Sequence, residues 1–410
     1  MDMSRRQLLA AAGLTGLQGV KSRVETSRKP IRITNCYGAG IGPAMSSAQI
    51  EYVASCDLCI GGLSLDYSDA DQIKRTNANL VKIRSMNPKF KVVDYTSAPD
   101  APSSTRNLPA NAWLRYENGT IAAGWPGSAM LNLAHPDVIE WVAQKAIRHM
   151  KSVDIDGVFL DSMGAGFDAW ECNLFGRKVL HFENEPGGNF SDLTWLNSTW
   201  RQAKLTLVRR VRDLVGPTAI VMANQPGHET APSLNGVLLE DWVDSFLSGE
   251  RTWKQLLDDC TWWHQHCVKP ALTTLSCSSG VVPPYNAWTL PHAKQDELLQ
   301  KGKVQFSRMR LGLAAALLTD VYYSFDLNTR WRGEHWWYPE YNARLGPPEG
   351  EPKAQVDGTW QRRFRNGLVI ANPTKSAATI HLRTPYTNVT TQQKDHQFNL
   401  ASNDGLLLVS

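Results

Sequence analysis

No apolar run in the 410 residues is long enough to cross a bilayer as a helix, so no membrane span is expected. No dense Lys/Arg block occurs in the part that reads as folded, and a formal charge of +4 is small for this length; nucleic acid is not an expected partner. The densest basic stretch, Arg209, Arg210 and Arg212, falls on a predicted helix and reads as a solvated face. Cysteine is scarce, and its count of seven is odd, which leaves a thiol unpaired in a monomer and defines no disulfide framework. The CxxC at Cys56–Cys59 lacks a second Cys/His pair at ligand spacing, and His264 and His266, two apart on a predicted helix, point in different directions. The first predicted strand ends in "NCYGAG", without the H-x-H of metal-dependent amidohydrolase barrels. Neither a metal nor another cofactor is therefore expected, and no internal repeat is visible.

Tryptophan, by contrast, is abundant: 15 residues, more than Tyr or Phe at 11 each. An indole offers a flat apolar face and one donor, which suits the face of a sugar ring as well as a protein core. The opening "MDMSRRQLLAAAGLTGLQGV" resembles a bacterial twin-arginine export signal. Ser4, Arg5, Arg6 and Leu9 match; Leu8 stands where Phe is usual, and no clear A-x-A cleavage site follows. Residues 1–30 are expected to be this leader, which would export the protein to the periplasm or beyond.

After the leader, short apolar strands alternate with longer helical patterns, the mark of βαβ units. Eight strands are predicted, at 31–36, 58–65, 91–96, 157–162, 219–224, 236–241, 271–276 and 321–326. In "HPDVIEWVAQKAIRHMK", Pro136 and Asp137 suit a first helical turn and Val138, Val142, Ala146 and Met150 form one stripe. In "STWRQAKLTLVRRVRDLVG", Ser198 or Thr199 would cap, Trp200, Leu207, Val208 and Val211 line a face, and Gly216 stops the helix. Together these units predict an α/β fold, a (β/α)8 TIM barrel over residues 31–350. Beyond 350, "NGLVIANPT", "AATIHL" and "DGLLLVS" are short β runs without an amphipathic helix, so 351–410 should form a small β domain.

In a parallel barrel the strand C-termini share one rim. Asp161 ends the fourth predicted strand, Asn224 the fifth, Glu240 and Asp241 the sixth and Asp326 the eighth; Asp94 lies near the end of the third. Hydrolysing a glycosidic bond needs two carboxyl groups, one to donate a proton and one to attack carbon or activate water. Asp161 is the candidate nucleophile and Glu240 the candidate acid, with retaining and inverting separations both open. Asp94, Asn224 and Asp326 are candidates for binding sugar hydroxyls. Asp156, at the strand entrance, reads as structural, and Asp241 should point away from the mouth because neighbours alternate sides. The loops add Trp113, Tyr116 and Trp125 after strand three and Trp331, Trp336, Trp337 and Tyr338 after strand eight, a candidate sugar-stacking platform. Trp141 and Trp200 belong on buried helical faces. Two alternatives stand beside this reading: strand-end acids that only cap helices or pair with arginines, and a barrel that binds carbohydrate without cleaving it.

At "LNLAHPDVIEWVAQKAI…DGVFLDSM", and again at "MANQ", "GVLLEDW" and "WWYPEYNARLGPPEG…FRNGLVIANPT", the chain resembles bacterial TIM-barrel glycoside hydrolases. These are the hypothetical glycosyl hydrolase families related to the endo-α-1,4-polygalactosaminidase-like group. The likeness runs in order through most of residues 31–375. It implies glycosidase activity on a carbohydrate, an acid after strand four on Asp161 and a Glu after strand six on Glu240, and names no sugar.

Overall fold

The computed structural model describes residues 30–109, 111–115, 119–124, 127–165, 193–284 and 286–410. All eight expected strands form: β1 (Thr34–Cys36), β2 (Leu58–Ile60) and β3 (Lys91–Ser97), then, after the short antiparallel pair β4 (Asp100–Pro102) and β5 (Ser128–Met130), β6 (Gly157–Asp161), β7 (Ile220–Asn224), β8 (Gly236–Leu239), β9 (Thr274–Ser278) and β10 (Tyr322–Asp326). The eight make one parallel sheet in the order β1-β2-β3-β6-β7-β8-β9-β10, and a parallel bridge from Ile33 to Tyr323 joins its two edges. Inward positions at period two, among them Leu58, Ile60, Val93, Tyr95, Phe159, Ile220, Met222 and Leu238, pack into one central cluster. The alternate residues, such as Val92, Val158, Leu160, Val221 and Leu239, face the helices.

The helices start where capping chemistry allows. In α1 (Ser47–Ser55) Ser46 and Gln49 form a reciprocal capping box; in α2 (Ala70–Met86) the Asp69 carboxylate accepts from the N–H groups of Asp71 and Gln72. In α3 (Pro136–Ile147) Pro136 opens the first turn, as expected. Helix α4 (Leu193–Val215) begins earlier than its sequence suggested, so Ser198 and Thr199 lie inside it rather than at its start; Gly216 ends it with φ 77°. Trp200 on α4 is fully buried and Trp141 on α3 half-buried. β7 and β8 are joined only by a 3₁₀ turn, His228–Ser233, whereas α5 (Trp242–Ser248) and α6 (Trp253–His266) precede β9, and α7 (His292–Lys303) and α8 (Phe306–Thr319) precede β10.

Six strands follow: β11 (Pro348–Ala354), β12 (Trp360–Phe364), β13 (Gly367–Asn372), β14 (Ala378–Asn388), β15 (Lys394–Leu400) and β16 (Asp404–Val409). They form an antiparallel sheet that starts at Pro348, close to the boundary expected at 350. Val369, Ala371 and Leu407 join the barrel's main core, while Leu368, Ile370, Ile380, Phe398 and Leu408 make a second one. Arg310 on α8 grips Asp404 through two bonds, 2.9 and 2.7 Å, and a Cβ on Gly405 would stand 2.1 Å from the Arg310 carbonyl oxygen. Breaking one side of so buried a pair costs on the order of 3–5 kcal/mol, so this contact fixes the sheet to the barrel.

Candidate active site

Because all eight barrel strands run the same way, their C-terminal ends deliver side chains to one mouth. Asp161, on the inward phase of β6, is 2% exposed. Its Oδ2 accepts the Tyr95 hydroxyl at 2.6 Å and its Oδ1 accepts the Asn224 amide nitrogen at 2.8 Å. The same Asn224 nitrogen donates to Glu240 Oε2 at 2.6 Å. The orientation of this amide follows from chemistry: turned over, its carbonyl oxygen would face two carboxyl groups. A single nitrogen 2.8 Å from one oxygen and 2.6 Å from the other holds those two oxygens within 5.4 Å, the sum of the two bonds.

Glu240 follows directly on β8, with its side chain 21% exposed. Arg332, from the loop after β10, donates through one nitrogen to Glu240 Oε1 and to Asp241 Oδ2, each at 2.6 Å, and its other terminal nitrogen stands 3.8 Å from Asp326. Burial above all, with Asp161 and Asp241 nearby, raises the Glu240 carboxyl above its ordinary range; Arg332 and Asn224 pull the other way and do not cancel the rise. Burial likewise lifts Asp326 to about 7. The Asp326 carboxylate accepts the N–H groups of Asn328 (2.9 Å) and Gly333 (3.0 Å), so it shapes the loop that carries Arg332. Glu334 completes that loop, accepting from Thr329 N at 2.8 Å and Arg330 N at 2.9 Å.

Two expectations need correction. Asp241 does not point away: β8 stops at Leu239, and Asp241 has a left-handed backbone (φ 58°), so strand alternation no longer governs it and it joins the Arg332 cluster. Asp94 does not reach the mouth: inward Val93 and Tyr95 flank it, which turns it toward the helical layer. There it accepts the Tyr67 hydroxyl at 3.1 Å and lies 2.6 Å from His149 Nδ1, beneath the stacked Tyr67 and His149 rings. Asp156 is structural as expected, paired with Arg84 at 2.9 Å and Lys91 at 2.8 Å. Trp336 has the Lys303 ammonium 3.7 Å from its ring centroid, and Trp337 packs edge-on to Tyr52 and Tyr341; both stay half-buried. Trp331, under the Arg330 guanidinium at 4.2 Å, neighbours Arg332 in the chain. Trp113 bridges to Leu131 and packs on the core; Tyr116 and Trp125 lie outside the described residues.

The model of hypothetical glycosyl hydrolase family 15 matches residues 78–368. The chain belongs to this family. This glycosyl hydrolase is also similar in fold to a noncanonic maltogenic alpha-amylase of Thermotoga neapolitana, at 10% identity and TM-score 0.50 over 93% of this chain and 99% of that one. An alpha-amylase of Geobacillus thermoleovorans (10% identity, TM-score 0.46, 88% and 90% covered) and the glycoside hydrolase domain of PelA from Pseudomonas aeruginosa (14%, 0.37, 73% and 95%) are further structural matches. No curated protein matches the chain. The protein is a glycoside hydrolase, a TIM barrel with an antiparallel C-terminal sheet.

Around the acids this hydrolase carries three groups that sequence reasoning missed: Tyr95, Arg332 and Tyr37. Tyr95 had its place on a predicted strand as a signal, without the phase that turns it inward beside Val93; Arg332 had none beyond its place in a Trp-rich loop. Among the described residues no group of three or more His, Cys, Asp or Glu could hold a metal ion, and no helix is long and apolar enough to cross a membrane. Cys56 and Cys59 are buried thiols held far above their ordinary pKa by burial, and His266 stacks on Trp262 at 4.3 Å. A groove of about 580 Å³ runs between α3 and α4, but its charged residues, Glu140 and Arg210, satisfy each other, and it lies outside the barrel. The chemistry points to the mouth instead.

Proposed function

We propose that this glycoside hydrolase works by double displacement with retention at the anomeric carbon. In the first step Glu240 gives its proton to the leaving glycosidic oxygen while an Asp161 oxygen attacks the anomeric carbon, forming a glycosyl ester. In the second, the Glu240 carboxylate takes a proton from water, whose oxygen displaces Asp161 and restores both groups. The observation that carries this reading is the shared Asn224 nitrogen, because retaining pairs stand roughly 5–5.5 Å apart and inverting pairs roughly 6.5–9.5 Å. Tyr95 and Asn224 hold the Asp161 carboxyl in place for attack, and the raised Glu240 keeps a proton at higher pH than an ordinary carboxyl. Asn224 and Trp331 are the contacts offered to a poly- or oligosaccharide, with Asp326 positioning Arg332.

The test is a panel of polysaccharides and 4-nitrophenyl glycosides, with reducing-end detection and NMR of the first-formed anomer. Retention is expected, and an inverted first product would sink these roles. One observation favours a second reading, a barrel that binds carbohydrate without turnover: at 2% exposure, Asp161 is almost closed to solvent. Glycan binding without release of reducing ends, unaffected by changes at Asp161, would establish that alternative.

Arg332 offers a pH test. A guanidinium beside Glu240 favours its anion, so Arg332→Gln lets the acid hold its proton longer. The alkaline limb of kcat/KM is expected to move to higher pH. A limb that stays put or moves to lower pH would separate Arg332 from the acid.

Export by the twin-arginine route is also proposed; Arg5 and Arg6 lie outside the described residues, and the reading rests on the sequence alone. Replacing both with Lys should leave the protein in the cytoplasm in cell fractionation, and unchanged export would refute it.

A further inference from the structure

Tyr37 sits in a conformation that its side chain does not favour. Its φ of 67° and the 2.9 Å bond from Gly38 N–H to the Cys36 carbonyl close a three-residue turn at the C-terminal end of β1. Left-handed backbone in a tight turn is costly for a bulky aromatic residue and persists only where its surroundings fix it. They do so here. A Cβ on Gly38 would stand 1.6 Å from the Gly333 carbonyl oxygen, so the turn is pressed against the loop that carries Arg332, and His335 Nε2 lies 3.2 Å from the Cys36 backbone nitrogen. A Cβ on Gly61 would already touch both Tyr95 Cβ (3.2 Å) and Tyr37 Cδ1 (3.5 Å), so the bare glycine leaves room for both rings.

The strain delivers a buried phenol to the barrel's inner face. The Tyr37 ring packs edge-on against Tyr95 (6.0 Å) and Phe159 (6.2 Å), each an inward residue two positions from Ser97 and Asp161 respectively. At 4% exposure its hydroxyl has no protein partner, whereas the hydroxyl of Tyr95 is spent on Asp161. Burial, then the charges of Glu240 and Asp161, push the phenol well above its ordinary pKa, so it remains a donor. A second atom at the same pair is orphaned: Asn224 Oδ1, buried and without a partner, while its nitrogen serves both acids. A third is the Ser97 hydroxyl, on the residue registered beside Asp161. Native proteins pair nearly all buried polar atoms, so one protonated phenol, one acceptor and one hydroxyl around a single carboxyl pair call for a polar ligand that meets all three.

We infer that Tyr37 is a substrate-contacting residue whose hydroxyl donates to an oxygen of the sugar unit bound between Asp161 and Glu240, with Asn224 Oδ1 accepting from a hydroxyl of the same unit. The inference rests on the retaining-hydrolase reading. It carries a signature that a structural tyrosine lacks: removal of the hydroxyl harms turnover and not the fold.

The experiment compares Tyr37→Phe with Tyr95→Phe and Asp161→Asn in the full chain, measuring Tm and hydrolysis of whichever panel glycan or 4-nitrophenyl glycoside the natural protein cleaves. Tyr37→Phe is expected to keep Tm within about 1 °C or raise it, because no internal bond is lost, while kcat/KM falls by at least about tenfold. Tyr95→Phe, which strips a donor from a buried carboxylate, is expected to lower Tm. A Tyr37→Phe protein that loses as much Tm as Tyr95→Phe has lost an internal partner, and the inference is overturned. Unchanged hydrolysis in Tyr37→Phe with an inactive Asp161→Asn overturns the inference and leaves the proposed function standing. A natural protein that cleaves nothing in the panel, or an Asp161→Asn protein of full activity, overturns both.

Discussion

Asp161→Asn is expected to lower kcat by at least about 10³-fold, because an amide cannot form the glycosyl ester through which the reaction passes. The substitution is close in shape, and what it changes is charge and hydrogen-bond sense. Oδ1 of the new amide can still accept the Tyr95 hydroxyl that Asp161 receives at 2.6 Å. Its nitrogen would then face the nitrogen of Asn224, which now donates to both acids. The relief available is a half-turn of Asn224 that brings Oδ1, free of any protein partner, toward residue 161, with a protonated Glu240 able to donate to the same oxygen. The fold therefore tolerates the change, and a thermal melt within a few degrees of the natural protein should accompany the lost turnover. Turnover above a tenth of the natural rate would remove Asp161 from the nucleophile's role, whatever the melt.

The barrel and its acids were legible for one reason: strand phase and direction are written locally. Period-two alternation in "GVFLD" and "IVMAN" puts Asp161 and Asn224 on the inner phase, and the parallel order puts both at the same end. The same rule, applied with an offset of one residue, failed for Asp94. The offset decides whether a carboxylate meets substrate or a buried histidine, and the sequence near Asp94 marks the strand without marking its phase. Asp241 and Tyr37 were illegible because their left-handed backbones break the alternation. Arg332 was illegible because its partners, Glu240 and Asp241, lie some ninety residues earlier, and no local pattern encodes a pairing at that range. The tryptophan loops are a different case. Indoles in a loop serve packing as readily as binding, and Lys303, Tyr52 and Tyr341 already occupy the surroundings of Trp336 and Trp337.

Glu240→Gln should separate the two displacements in time. Without a proton donor, cleavage of a natural glycosidic bond is expected to slow by about 10²–10⁴-fold. A 4-nitrophenyl glycoside has a leaving group that departs as a stable anion, so its first displacement should keep much of its rate. The second displacement lacks its base, and the glycosyl ester on Asp161 accumulates. The measurement is a burst of 4-nitrophenol equal to the enzyme concentration, followed by slow turnover. Azide, which attacks without giving up a proton, should restore turnover and yield a glycosyl azide of retained configuration. The alkaline limb of the pH profile should vanish with the carboxyl whose proton affinity burial raises, since no group that must stay protonated remains at that position. The substituted amide keeps one oxygen where Glu240 offers two, so Arg332 and Asn224 compete for it; Arg332 still has Asp241 at 2.6 Å, which limits the structural damage. Equal slowing of both substrate types, with no burst and no response to azide, would mean that Glu240 supports the site without transferring the proton. Asp326, a second carboxyl at the mouth raised by burial, would then be the next group to replace, although both its oxygens already hold backbone N–H groups.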